Sequence, residues 1–324
     1  LEAEGVHAPH GGQHLYEAVM NHSIRAAWST VNLPGLLGTV GNKILIDSFT
    51  AVETTYEMIA QIADLSNFLQ YTMYRLDDQG EFQTVGSDGE LKHGNLAETS
   101  YTNQLVTKGR MLTLTRQQII NDDLNAFQQL FATFGRKGAI AIEKATYLKV
   151  MEGSDVFYTS ARGNRLTTTA LSIAGISASE ASMMQQVDSD GNPIYGTPKT
   201  ILVPPGLKAT AMQIYESEQV SVEATSSGTA VQQGTKNIHR GKYRVASSPF
   251  LSLSSMTGSS STTWYHVADP AALPAFQVGF LRGNRQPTVE TADAAFNTLG
   301  IQMRAYFDFG VAQVDYRGAN KCSA

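Results

Sequence analysis

The sequence predicts an α+β fold, and three observations predict it. Segments with helical apolar spacing and segments with strand-like alternation mix along the 324 residues, without the repeating strand–helix–strand rhythm of a parallel sheet. Several strand-like segments, at residues 68–76, 99–106 and 110–114, are polar and bounded by turn residues, so they cannot bury enough apolar surface alone to offset their ordering entropy. Charged residues make up only 16% of the chain, while Ser and Thr number 56 and Gly 28; an ordinary soluble domain carries about 25% charge. The length corresponds to about two domains or one elaborate one.

Residues 1–12 hold three Gly and one Pro without periodicity and read as an extended arm. Leu15, Ala18, Val19, Ile24, Ala27 and Trp28 follow helical spacing over residues 14–28, and Leu33-Pro34-Gly35 ends that helix. A second helical pattern uses Leu36, Leu37, Val40, Ile44 and Leu45. Residues 68–115 then read as a long hairpin that needs a surface to lie on, with turn chemistry at residues 77–80 and 86–89. At Thr115 a helix begins, because Thr115 and Gln118 match the capping box. Its stripe is Ile119, Leu124, Phe127, Leu130, Phe131 and Phe134; Gly135 breaks it, and residues 139–151 resume it.

The second half opens with a Ser/Thr/Ala helix at residues 167–187 and a turn at 188–193. A buried strand at 200–203 runs through Pro204-Pro205 into a helix at 207–215. Residues 225–235 and 252–263 read as Ser/Thr/Gly loops. Strands are expected at 242–246, 264–268 and 276–281, and two more at 301–309 and 311–316, meeting at Gly310.

The composition excludes several functions. A net charge of −5, with no Lys/Arg run, is not the footprint of a protein that grips nucleic-acid phosphates. The single Cys, Cys322, leaves no internal disulfide and no cysteine-built zinc site. No apolar run approaches the 18 or more residues of a membrane span, so no membrane partner is expected, and no signal-peptide pattern appears. Asp188-Ser189-Asp190-Gly191-Asn192 is calcium-like, but its Gly stands fourth and Lys199 occupies the twelfth position, where an EF-hand needs Gly sixth and Glu twelfth; a turn is expected. His10 and His14 are separated by Gly11 and Gly12 and have no third ligand nearby in sequence. The adjacent carboxylates Asp122 and Asp123 would point about 100° apart on a helix, so they do not form an acid/base pair. No G-x-S-x-G, P-loop or G-x-G-x-x-G occurs. No active site, metal site or cofactor is expected.

Taken in order, the segments resemble a known family. GSDGELKHGNLAETSYTNQLVTKGRMLTLTRQQIINDDL at residues 86–124, with WYHVADP, FLRGNRQPTVE and RAYFDFGVAQVDYRGANK within residues 264–321, is similar to the Mu-like major head subunits of tailed bacteriophages. That resemblance implies the Hong Kong 97-like capsid fold. Residues 1–37 would be the N-terminal arm, 38–67 the first part of the peripheral domain, and 68–115 the extended β-hairpin loop. Residues 116–197 would hold the peripheral domain with its spine helix, 198–286 the axial domain, and 287–324 the closing peripheral strands. The implied function is a non-enzymatic structural subunit that self-assembles as hexamers and pentamers into an icosahedral shell enclosing double-stranded DNA. The implied further partners are portal, scaffold and protease during assembly, with an external decoration protein in some relatives. Assembly would take place in the host cytoplasm.

The resemblance makes charged residues of these segments candidate intersubunit contacts: Arg75, Glu90, Lys92, Lys108, Arg110, Arg116, Asp122, Asp123, Arg285 and Arg317. It places a candidate processing site immediately before Leu1. Two other readings are weighed against it: an encapsulin-like nanocompartment subunit and a soluble hydrolase. The hydrolase lacks a nucleophile–base constellation. Some relatives cross-link an extended-loop Lys to an Asn of a neighbour. Lys92 and Lys108 are the only lysines in residues 68–115, and neither has an identifiable partner. Boiled particles are therefore expected to run as a single monomer band on a denaturing gel; a covalent ladder would overturn this.

Overall fold

A computed structural model describes residues 33–77, 85, 97–115, 124–152, 156–188, 191–226, 229–293 and 300–324. Along the chain these form α1 (Leu33–Thr50), β1 (Ala60–Leu65), β2 (Tyr71–Asp77), β3 (Ala97–Asn103), β4 (Val106–Thr115) and α2 (Leu124–Met151). There follow β5 (Arg165–Leu166), α3 (Ile173–Met184), β6 (Pro198–Val203), α4 (Pro205–Glu216), β7 (Gln219–Ser226) and β8 (Thr229–Lys236). The chain ends with β9 (Arg244–Ser247), β10 (Trp264–Ala268), β11 (Phe276–Leu281), β12 (Thr288–Asp293), β13 (Gly300–Gln313) and β14 (Ala319–Cys322). Two compact units emerge. One is drawn from Leu1–Val52, Lys108–Gly138 and Gln286–Phe307, and the other from Glu53–Thr107, Ala139–Arg285 and Asp308–Ala324.

The first unit is organised by a close helix crossing. A Cβ on Gly135 of α2 would lie 2.3 Å from the Leu45 carbonyl oxygen and 2.9 Å from the Phe49 nitrogen of α1, and one on Gly41 would lie 2.3 Å from the Phe131 ring. Each helix thus presents a bare glycine to the other, so the backbones approach more closely than any side chain permits. Pro34 sits in the first turn of α1, where a missing N–H costs nothing. Within the same unit β12 pairs antiparallel with Ile301–Tyr306 of β13, and Phe49 meets Phe307 edge-to-face at 6.0 Å. Glu290 accepts from Arg304 Nε at 2.6 Å and from the Tyr306 hydroxyl at 2.9 Å across that pair.

The second unit holds two sheet assemblies. Parallel β1 and β11 are joined by antiparallel pairing of β11 with Phe309–Gln313. A five-stranded sheet runs in the order β5-β14-β10-β6-β9, antiparallel at β10–β14 and β10–β6 and parallel at β6–β9 and β14–β5. Trp264, Tyr265, Val267, Phe276, Val278 and Phe280 are fully buried, and their near-continuous apolar runs fit strands covered on both faces. Ser172 caps α3 by accepting from Gly175 N at 3.1 Å. Glu143 of α2 reaches into the short 3-10 turn Tyr56–Met58, accepting from Thr55 N at 3.0 Å and Tyr56 N at 3.2 Å. Burial there pushes its carboxyl above the usual range, against the pull of those donors.

Four sequence expectations change. The helix is continuous through Gly135, because that residue serves the crossing rather than a break. The expected pair of strands meeting at Gly310 is one strand, β13. The segment 225–235, expected as a loop, contributes to the antiparallel hairpin β7–β8; Val220, Val222 and Ala224 alternate with polar residues on its first strand. Thr115 ends β4, and the helical stretch expected at 116–123 lies outside the described residues. The expected helix at 14–28 also lies outside them. Asp188 and Asn192 close the anticipated turn, with Asn192 N donating to Asp188 Oδ1 at 2.8 Å.

Gly135→Ala drives a methyl into the α1 backbone, so a loss of about 1–3 kcal/mol is expected, as for overpacked cores. Chemical denaturation checks this; a neutral result would remove the crossing from the fold's determinants.

Candidate assembly surface

The hairpin β2–β3 joins Tyr71–Asp77 to Ala97–Asn103 in antiparallel register and pairs with no further strand among the described residues. Its root is fixed in the second unit. Gly279 and Gly310 face each other across β11 and β13. A Cβ on Gly310 would lie 2.1 Å from the Gln104 carbonyl oxygen, and one on Gly279 2.7 Å from Leu65 Cδ1. The chain leaving β3 passes through the space a Gly310 side chain would have filled, while Leu65 of β1 fills that of Gly279. Buried Asn103 donates to Gln277 Oε1 at 3.0 Å, and Leu105 is sealed into the core immediately after.

Outward of this root the surface is apolar. Phe68, Leu69, Tyr71, Tyr74 and Val106 are all exposed, with Tyr71 at 50% and Tyr74 at 65%. Beside Tyr74 lies a groove of about 580 Å³, also lined by Tyr101, Ile194, Leu273, Pro274 and Val314. Tyr195 stands on its rim at 75% exposure, held at φ +55°, a conformation that is costly for any residue with a Cβ. Exposed aromatic and aliphatic side chains beside a groove mark candidate interaction sites.

The charged candidates distribute differently. Lys108 and Arg110 lie exposed on β4. Arg75 occupies β2, where its backbone pairs with Thr99. Arg285 is exposed after β11 and close enough to Tyr56 to act on its titration. Glu90, Lys92, Arg116, Asp122 and Asp123 lie outside the described residues. Arg317 is corrected: it is 4% exposed, and its Nε donates to Asp315 Oδ1 at 3.1 Å. Its guanidinium serves the subunit's own core, because a buried charge needs a buried partner. Sequence reasoning chose charges and passed over the exposed tyrosines. The strand alternation that put Tyr71 and Met73 on one face and Thr72 and Tyr74 on the other was the signal for them.

No cluster of three metal-ligating side chains forms among the described residues, nor is any described helix long and apolar enough to cross a membrane. Cys322 is fully buried, and burial pushes its thiol up to about 12. A buried polar seam runs along α3. Ser177 contacts His239, Ser179 contacts His266 Nδ1 at 3.2 Å, and Glu180 accepts from the Tyr243 hydroxyl at 2.7 Å. Burial holds His266 down to about 3.

These elements define the Hong Kong 97-like capsid fold, and solved structures share it. The capsid of cyanophage P-SCSP1u matches with a TM-score of 0.57 at 11% identity, covering 84% of this chain and 88% of that one. The mature capsid of bacteriophage PhiM1 matches at 0.53 and 11% identity, covering 84% and 87%. A virus-like particle from Pyrococcus furiosus matches at 0.50 and 9% identity, covering 88% and 98%. No curated protein matches the sequence. A family model described as phage capsid protein matches residues 98–322, well over half of the chain, and the chain belongs to that family. It is a structural protein, a major capsid subunit of a bacteriophage virion.

The neutral His266 ring gives the subunit a defined acid sensitivity. An unfolded His takes up its proton near 6.5 and the folded one only at about 3. The stability of the neutral ring is therefore complete above pH 6.5 and is lost as pH falls toward 3, at up to about 1.4 kcal/mol per pH unit. Urea unfolding of His266→Gln between pH 6 and pH 4 is expected to lack one proton's worth of that slope; an unchanged slope would refute it.

Proposed function

We propose that the chain assembles with copies of itself, as hexamers and pentamers, into an icosahedral shell that encloses packaged double-stranded DNA. The observation that carries this reading is the β2–β3 hairpin. It pairs with no other described strand and presents Tyr71 and Tyr74 outward, in a chain of the phage capsid family. Laid on a neighbouring subunit, the hairpin gains the apolar cover it lacks alone. In this reading residues 68–115 act as the extended loop, residues 116–151 hold the spine helix, and residues 198–286 form the axial domain. Arg75, Lys108, Arg110 and Arg285 lie at the polar rims of subunit contacts, with Glu90, Lys92, Arg116, Asp122 and Asp123 on segments that contact neighbours.

Low charge suits such a shell. Interface cores are depleted in charge, and packed subunits of large like charge would repel. A net charge of −5 also keeps the wall from adhering to condensed DNA, so contact with packaged DNA is non-specific. Assembly takes place in the host cytoplasm with portal, scaffold and protease as partners, and a decoration protein can be added outside. The likeness to the Pyrococcus furiosus virus-like particle supports a shared shape but no cargo function.

Electron microscopy of purified particles tests the reading: DNA-filled shells support it, shells filled with protein cargo favour a nanocompartment, and monomers reject both. Deleting residues 77–106 is expected to leave a soluble, folded subunit that no longer forms stable shells. Normal shells from that deletion would rule out an intersubunit role for the hairpin.

A further inference from the structure

One face of the five-stranded sheet in the second unit carries two cations side by side at its β5 edge. β5 and β14 run parallel with Arg165 opposite Lys321, and β14 runs antiparallel to β10 with Lys321 opposite Tyr265. Cross-strand partners share a face, so Arg165, Lys321 and Tyr265 stand in one row. Tyr265 is fully buried, as is Tyr158, whose ring lies 5.9 Å from it. Lys321 is half-buried over both rings, with Nζ 5.8 Å from the centroid of Tyr158 and 5.9 Å from that of Tyr265. Arg165 is exposed beside it.

Among the described residues no carboxylate pairs with Lys321. Burial pushes both phenols well above their ordinary value, so neither ring supplies a negative charge. Like charges directly opposite on adjacent strands repel. Burial first, and then Arg165, hold the Lys321 ammonium below its ordinary value, although the ring faces favour the cation.

We infer that Arg165 and Lys321 form an oxyanion-binding site, and that in the assembled shell a carboxylate of a second copy of the chain occupies it. The inference rests on the assembly proposed above. The two cations select the ligand: a guanidinium offers a planar fork to two oxygens and an ammonium a compact charge, so one Asp or Glu side chain can bridge both. Charge complementarity selects the source. Each copy carries 29 acidic residues against 24 basic ones, so neighbours bring surplus carboxylates, and the same surplus repels DNA phosphates. An ammonium half-buried on two rings is better met by a group delivered on a packed surface than by a mobile, hydrated polymer.

Carbodiimide treatment of purified full-length particles, which joins an amine to a carboxylate in direct contact, tests the site. Lys321 is expected to be recovered joined to an Asp or Glu in the covalent-dimer band of a denaturing gel, and unlinked in the monomer band. Lys321→Arg keeps the charge but offers the reagent no amine, so that link is expected to vanish while shells persist. Lys321→Gln removes the charge, and its shells are expected to come apart at a lower urea concentration than those of Lys321→Arg. Shells in which Lys321 stays unlinked, or is linked equally in monomer and dimer bands to a carboxylate of its own chain, would overturn the inference and leave the assembly reading standing. So would Lys321 recovered on DNA after formaldehyde treatment of filled shells, because the anion would then be phosphate. If electron microscopy shows no shells, the assembly reading itself fails and the inference with it. Should either variant fail to fold, the link map of the unsubstituted particles decides alone.

Discussion

The close approach at Gly310 is the constraint from which the outward surface follows. Gly310 leaves room where the Gln104 carbonyl oxygen would otherwise stand 2.1 Å from a Cβ, and its cross-strand partner Gly279 is equally bare. Through that gap the chain passes from the hairpin β2–β3 into the core at Leu105. A two-stranded ribbon has little stability of its own, so its direction is set where it is held. The sheet of the second unit holds it by that close backbone approach and by the Asn103–Gln277 bond, not by strand pairing.

A second glycine site repeats the principle in the first unit, where Gly135 and Gly41 bring α1 and α2 together. These positions explain the two clearest misreadings of the sequence. Read locally, Gly135 and Gly310 both signal breaks, the local meaning of glycine. Both instead lie inside regular elements, because a distant backbone needs the space. Nothing within a few residues of either glycine reports that neighbour. The strand at Trp264–Ala268 and the strand at Phe276–Leu281 were legible to the residue, since their apolar runs are local. The short strand β14, by contrast, depends on partners far along the chain, at β10 and β5.

The assembly surface was legible in kind but not in detail. Low charge and a coreless hairpin pointed to a surface covered by copies of the same chain. The charged residues that the sequence offers as contacts suit only the rim of such a surface, since interface cores are built from aromatics. Arg317 shows the hazard: an arginine near the chain end reads as surface, yet Asp315 two residues earlier draws it inside. Tyr74 and Tyr195 show the converse, as large rings that line a groove yet stay mostly exposed. The seam of Ser177, Ser179, Glu180, His239 and His266 was invisible for another reason. Its members come from one helix, one loop and one strand, and only folding brings them together.

Cys322 carries a practical consequence. It is the chain's one cysteine, it is fully buried, and its thiol is held far from ionising at neutral pH. The thiolate is the reactive form, so the native chain offers nothing to maleimides, disulfide exchange or mild oxidants. A single cysteine engineered onto an exposed position would thus be the sole addressable thiol in every subunit. The particle's surface could then carry dyes or displayed peptides at one chosen site per subunit, with no native residue to remove first.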